Sequence, residues 1–276
     1  MPLPRIIRRL TYNSWFIRGI RALGVRTPAR KVYHYLVLSR KGVLQVERGG
    51  VSAAFIARTP EQLRAVEAVS MEPSLDLLVR SLHAGDTLYD VGGNVGVYTV
   101  LLAKVVGEKG TVVAFEPHRE TYEQLLENIR LNGLTNVRPF QKALGERNSQ
   151  ERLYIGEVVA NFSLLAGGIE GHSAKAEREF QVVEVVQGDG FALAEGLPVP
   201  CAVKIDVEGF EFTVLKGLRK VLSDPRCRMV CLEVHPKFLP SEVKAGDIRE
   251  LLSSLGFGRI EGAPSETTYD LVAYKG

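Results

Sequence analysis

Short apolar runs recur through the middle and end of the chain, and most are followed by a segment with helical spacing. The run at 87–91 (T-L-Y-D-V) leads into a helix-periodic stretch at 95–106, and the run at 111–115 (T-V-V-A-F) leads into 119–131. A strand at 136–141 follows; then 200–206 (P-C-A-V-K-I-D) leads into 210–222, and 228–234 (R-M-V-C-L-E-V) into 241–255. Strands that are apolar throughout, alternating with helices, predict a parallel sheet covered on both faces. The runs at 257–260 and 268–274 are joined too closely for a crossover helix, which predicts at least one antiparallel edge strand. Upstream, 43–48 and 51–57 alternate as a hairpin through Gly49-Gly50. Thr59-Pro60 starts a helix with threonine as cap, and Pro73 starts another that ends near Ala84-Gly85. Residues 1–40 read as short basic helices broken near Thr27-Pro28. Residues 151–186 interrupt the rhythm: 152–155 and 180–186 look like strands around a loop rich in Gly, Ser and Ala, and a short helix covers 189–195.

Composition is that of an ordinary globular protein, and 276 residues suffice for one large α/β domain with an extension. Charge is unevenly placed. Residues 1–41 carry +10 with no acidic residue, which leaves the remainder at −7 against the overall +3. Trp15, Phe16, Ile17, Ile20 and Leu23 lie among those cations. Such an arm suits a peripheral contact with an anionic membrane surface, or with nucleic acid; a solvated arm or a helix packed on the domain is the plainer alternative. Cys201, Cys227 and Cys231 are odd in number and sit in apolar runs, so reduced thiols and a cytoplasmic setting are expected. No run reaches a membrane-spanning length, no Cys/His set has zinc spacing, and the N-terminal stretch has no apolar core of a secretory leader.

The chemistry is concentrated at strand ends, where ligands bind in an open α/β sheet. The first strand ends in Asp90-Val91-Gly92-Gly93-Asn94-Val95-Gly96, a strand, tight glycine turn and helix start over which a nucleotide-bearing ligand can lie. The glycine spacing fits neither a dinucleotide fingerprint nor a P-loop. An acidic residue ahead of the glycines suits a cationic ligand and disfavours a pyrophosphate. The second strand ends at Glu116, followed by Pro117 and His118, where a carboxylate can accept from both ribose hydroxyls of an adenosine. The third strand ends at Gln141-Lys142-Ala143-Leu144-Gly145, where small residues leave room for an adenine ring. The fourth strand ends Lys204-Ile205-Asp206-Val207-Glu208 and the fifth Glu233-Val234-His235, so Lys204 shares a face with Asp206 and Glu233 with His235. Charged groups there are costly unless paired or functional; the plain alternative is a Lys204–Glu233 salt bridge with Asp206 or Glu208 capping a helix.

The segments D-V-G-G-N-V-G-V-Y-T, V-V-A-F-E-P, E-N-I-R-L-N-G-L-T-N-V, K-A-L-G, V-K-I-D-V-E-G-F-E-F-T-V-L-K-G and L-E-V-H-P, in that order, closely resemble the FkbM family of S-adenosylmethionine-dependent methyltransferases. The resemblance covers roughly residues 72 to 275, and K-I-D-V-E-G with its following L-K-G is its sharpest mark. It implies an α/β class I methyltransferase (Rossmann-like) fold: a seven-stranded doubly wound sheet with the last strand antiparallel, here with a basic N-terminal helical extension. Residues 1–60 would be that extension with its hairpin, and 61–276 the methyltransferase domain. The resemblance further implies that Asp90, Gly92, Asn94 and Gly96 surround the methionine moiety, Glu116 with Pro117 holds the ribose side, and Ala143 lies by the adenine. Gly93 stands where the family usually has alanine. The K-I-D-V-E-G segment would face the methyl group and the acceptor.

Methyl transfer to a hydroxyl of a sugar, glycolipid or secondary metabolite is the activity the resemblance implies. The acceptor's proton needs a base, for which His235 is the first candidate on its ordinary pKa and Asp206 the second. Lys204 is a candidate for steadying the developing alkoxide. A divalent metal on Asp206, Glu208 and Glu233 is a weaker alternative, and no metal site is assigned. Asn161 and Ser163 in the insert are polar positions suited to a sugar. A nicotinamide oxidoreductase would need the full dinucleotide fingerprint. A nucleic-acid methyltransferase would explain the arm, but an N-P-P-[YF] tetrapeptide is missing after the fourth strand. A non-catalytic membrane-docking adaptor of the same fold is the third rival, and the polar groups at both strand ends argue against it.

Overall fold

The computed structural model describes residues 42–155, 162–163 and 180–276. The helices expected in 1–40, and Asn161, lie outside the described residues. The elements in chain order are β1 (Val43–Arg48), β2 (Val51–Ile56), α1 (Pro60–Val69), α2 (Pro73–Ser81), β3 (Thr87–Val91), α3 (Val97–Val106), β4 (Thr111–Phe115), α4 (Arg119–Leu131), β5 (Val137–Phe140), β6 (Ala143–Gly145), β7 (Ser149–Ile155), β8 (Phe162–Ser163) and β9 (Phe180–Gln187). Then come α5 (Gly188–Ala194), β10 (Ala202–Ile205), α6 (Glu211–Gly217), α7 (Arg219–Ser223), β11 (Met229–Val234), a 3-10 turn (Pro236–Phe238), α8 (Ala245–Ser254), β12 (Arg259–Glu261) and β13 (Tyr269–Tyr274).

Seven strands form the main sheet in the order β12-β13-β11-β10-β3-β4-β5, parallel except for β13. The antiparallel strand expected at the edge is one place in from it. Leu271 and Ala273 of β13 are fully buried, so this strand needs neighbours on both sides, whereas the short, mostly exposed β12 tolerates the edge. Alternation along each parallel strand divides the core into two layers. Leu88, Val112, Ala202 and Met229 face one, and Tyr89, Val113, Val203 and Val230 the other. Helix α3 is apolar nearly all round because it is enclosed between the sheet and the β1–β2 hairpin.

The hairpin shares the first of those layers. Val46 and Phe55 are fully buried against α1 to α3, a contribution of roughly 1.5–3 kcal/mol for each side chain. Helix α4 then ties down its open edge. Gln124, Asn128 and Asn132 lie on one helix face and bond β2 as a neighbouring strand would. Ile56 N–H donates to Asn128 Oδ1 (2.8 Å), Ala54 N–H to Asn132 Oδ1 (3.0 Å), and Gln124 Nε2 to the Ile56 carbonyl (2.7 Å). The hairpin, grouped with the extension by sequence, is therefore built into the body that begins at α1.

A second sheet, β6-β9-β7-β8, stands beside the carboxyl ends of the main strands. It was legible only as two strands around a loop. Gly145 of β6 packs on α6 so closely that a Cβ on Gly217 would lie 1.9 Å from the Gly145 carbonyl oxygen. The helix expected over 210–222 divides at this contact into α6 and α7.

Candidate active site

The turn after β3 is set by two left-handed glycines. Gly92 has φ 80°, and a Cβ there would lie 1.8 Å from the Asp206 carbonyl oxygen, so the ends of β3 and β10 meet with no room for a side chain. Gly96 has φ 89°, and a Cβ would strike Leu125. Gly96 caps α3, which is why that helix starts at Val97 and not at 95. Gly93 is different: a Cβ would make only ordinary contacts with Thr99, Ala114 and Asp90 at 3.5–3.7 Å.

Asp90 lies wholly buried beneath this turn. Its Oδ2 accepts from Thr99 Oγ1 at 2.5 Å. Its Oδ1 has no hydrogen bond among the described residues and sits 3.6 Å from Lys204 Nζ, on the register partner in the adjacent strand. Lys204 Nζ also donates to the Gly92 carbonyl (2.9 Å) and to Asp206 Oδ2 (3.4 Å), and lies over the Tyr98 ring. Burial opposes its charge, but Asp206, Asp90, Glu72 and Glu233 outweigh that and hold the ammonium above its ordinary pKa. Lys204 therefore pairs with Asp90 and Asp206, and not with Glu233 as the plain sequence alternative had it.

An open cleft lies over the turn, at the carboxyl ends of the parallel strands where ligands bind in such sheets. Val91, Gly92, Asn94, Glu116, Pro117 and Ala143 form one side of its lining, and Leu153, Asp206, Glu208 and Phe210 are on its other walls. Asp90, Gly93 and Gly96 shape the turn from below and do not line the cleft. Glu116 is held by backbone: Asn94 N–H donates to Oε2 (2.8 Å) and His118 N–H to Oε1 (2.9 Å). Burial raises its pKa to about 7, with those two hydrogen bonds working against the rise.

Beyond Asp206 the cleft borders a cluster of carboxylates around His235. His235 Nδ1 is 2.7 Å from Oε1 of the fully buried Glu211, which also accepts from Gly209 N–H. Nε2 faces Glu208 Oε2 (3.5 Å) and Glu233 Oε1 (3.8 Å). Burial disfavours the imidazolium, but the Glu211 bond and the charges of Glu208, Glu211 and Asp206 prevail and take the pKa up to about 9. Burial raises Glu208 to about 7; burial, then repulsion from Asp206 and Glu72, raises Glu233 to about 8. A second cleft opens at His235, lined also by Lys237, Phe238, Thr267 and Thr268.

The four polar groups expected at the fourth and fifth strand ends thus do converge, with Glu208 among them. Both nitrogens of His235 face carboxylates, and its ordinary pKa, the premise for making it the base, does not hold here. Glu211, Asn128 and Gly217 went without a role in the sequence reading. All three stand in the segments that carried the family resemblance, and that was the available signal.

A family model described as the methyltransferase FkbM domain matches residues 90–258, and the chain belongs to that family of S-adenosylmethionine-dependent methyltransferases. It is 28% identical to the hexuronic acid methyltransferase AglP of Haloferax volcanii over 71% of this chain and 76% of that protein. It is 24% identical to Methyltransferase 1 of Beauveria bassiana over 48% of this chain and 57% of that protein. Among solved structures it is similar to an O-methyltransferase of Thermotoga maritima, at 15% identity and TM-score 0.44, over 84% of this chain and 77% of that one. The residues present fit S-adenosylmethionine. Glu116, Asp206 and Glu208 give the lining carboxylates, which suit ribose hydroxyls and a cationic ligand and disfavour a pyrophosphate.

Proposed function

We propose that this methyltransferase methylates a hydroxyl of a sugar, and that the sugar is an acidic one. The observation that carries this reading is the position of the carboxylate cluster between two clefts. Asp206 and Glu208 line the first, and His235, 3.5 Å from Glu208, lines the second beside Lys237 and two threonines. A donor in the first cleft and an acceptor in the second would meet at that cluster.

When bound, S-adenosylmethionine supplies a methyl group already activated on a sulfonium. The chain's own task is to align the acceptor oxygen and receive its proton, and positioning of this kind carries most of the rate in such transfers. Asn94, Glu116 and Ala143 fix the adenosine end. The Asp90–Lys204 pair holds the turn and the β10 end in register. The acceptor's proton passes to the cluster carboxylates, because each ring nitrogen of His235 is turned to a carboxylate. Thr267 and Thr268 offer hydroxyls to a sugar, and the exposed Lys237 offers a cation to its carboxylate. The hexuronic acid named for the Haloferax relative supports the same acceptor class.

The test is transfer of a labelled methyl group to oligosaccharides ending in a hexuronic acid or in the matching neutral hexose. Preferential labelling of the acidic sugar is expected, with Lys237→Ala raising KM for it and leaving KM for the neutral one unchanged. Equal labelling of both sugars, or none of either, refutes the proposal.

A further inference from the structure

We propose that Asp206, Glu208 and His235 form a binding site for one divalent cation of the Mn²⁺ class, with Glu211 as the residue that orients His235. One ligand atom from each of the three lies within 4.8 Å of the others. Donors on opposite sides of an ion with bonds of about 2.1 Å are about 4.2 Å apart, so the cluster needs only a small contraction to close on one. The donor set comes from two strand ends and mixes hard carboxylate oxygens with an imidazole. Oxygen ligands favour magnesium and manganese, and imidazole favours later metals, so the mixture fits Mn²⁺ best.

The second observation is the group behind the histidine. Glu211 is fully buried, its Oε1 engages His235 Nδ1 at 2.7 Å, and its Oε2 has no hydrogen bond among the described residues. A carboxylate on Nδ1 holds the ring with Nε2 turned outward, the arrangement that supports metal-bound histidines, and an ion bound at Nε2 would displace the proton carried there. Here Nε2 is turned to Glu208, and Asp206 and Glu208 keep partly exposed side chains through which an ion can enter. Lys204 Nζ is bonded to the Gly92 carbonyl and paired with Asp90 and Asp206, and His235 is the cation nearest Glu208, Glu211 and Glu233 among the described ion pairs.

The role of the ion, unlike its binding, rests on the methyl-transfer reading. An acceptor hydroxyl drawn to the ion is held in place and made more acidic. The hydroxyl loses its proton to Glu233, its oxygen takes the methyl group, and the electron pair of the broken C–S bond stays on sulfur.

The site is tested by titrating Mn²⁺ into the purified full-length chain, with no methyl donor present, and following the loss of the free-ion electron paramagnetic resonance signal. One bound Mn²⁺ per chain is expected. Glu208→Gln and His235→Gln should each weaken binding at least about tenfold, and Glu211→Gln by roughly 10–100-fold. Glu108→Gln, on a distant exposed turn, should change nothing. Thermal melts verify that each variant is folded; should His235→Gln unfold, Glu208→Gln on its partly exposed loop decides. Absence of stoichiometric Mn²⁺ binding, or binding that folded Glu208→Gln retains in full, overturns the proposal. Calorimetry with S-adenosylmethionine keeps the two readings apart. A chain that takes the donor and no Mn²⁺ loses only the metal site, and one that takes Mn²⁺ but no donor loses only the methyl-transfer reading.

Discussion

Two adjacent glycines in the turn after β3 have opposite requirements. Gly92 combines a left-handed backbone with the Asp206 carbonyl where a Cβ would sit; Gly93 has neither constraint. Gly92→Ala should cost about 1–2 kcal/mol from the backbone alone, more from the collision, and should abolish donor binding. Gly93→Ala should range from neutral to about 1 kcal/mol stabilising and bind the donor as before. Thermal melts with and without S-adenosylmethionine check both. Glu116 gives a pH dependence. Its pKa rises on folding from 4.5 to about 7 because the buried carboxylate loses solvation. The stability it contributes is therefore complete below about pH 4.5 and is lost as pH rises through about 7. Donor binding runs the other way, since ribose hydroxyls bond more strongly to the ionised carboxylate. Calorimetry between about pH 8 and pH 6 should show affinity falling as Glu116 takes up its proton, and Glu116→Gln should flatten the profile.

At the scale of elements, α4 acts as a substitute strand. Asn128 is wholly buried; its Oδ1 receives the Ile56 N–H, and its Nδ2 donates to the Val95 carbonyl in the turn beneath the cleft. Asn128→Ala leaves both backbone groups unpaired and should cost about 2–4 kcal/mol, read as a lowered midpoint in denaturant. It should also weaken donor binding, because Val95 adjoins Asn94. Gly217→Ala should cost about 1–3 kcal/mol by forcing β6 off α6. The strands and most helices were legible in the sequence because each is written in a local period. These two contacts were not. Asn128 reads as an ordinary helix-surface amide until the hairpin 72 residues upstream is brought against it. Gly217 reads as a helix end until Gly145 arrives from another sheet.

Across the whole molecule, the sheet order puts the ends of β3 and β10 side by side, and the first cleft opens there, at the switch point of a doubly wound sheet. That much follows from a run of strand–helix units. The position of β13 inside β12 does not, since both orders satisfy the same short connection. The second sheet supplies Ala143, Leu144 and Leu153 to the cleft, and Leu153 was not expected there. Leu153→Ala should weaken the donor more than the acceptor, seen as a rise in Kd for S-adenosylmethionine with little change in acceptor KM. The rank of the charged residues also changed with the fold. Asp90, expected against the methionine moiety, is matched to Lys204 beneath the turn, so the negative charge bordering the cleft comes from Asp206 and Glu208.

The account stands most directly on one titration calorimetry experiment, with S-adenosylmethionine and a dinucleotide coenzyme each added to the full-length chain. It predicts one molecule of the methyl donor per chain, at least tenfold weaker binding in Glu116→Ala, and no heat from the dinucleotide. Silence toward the donor, or saturable binding of the pyrophosphate-bearing coenzyme in its place, would contradict it.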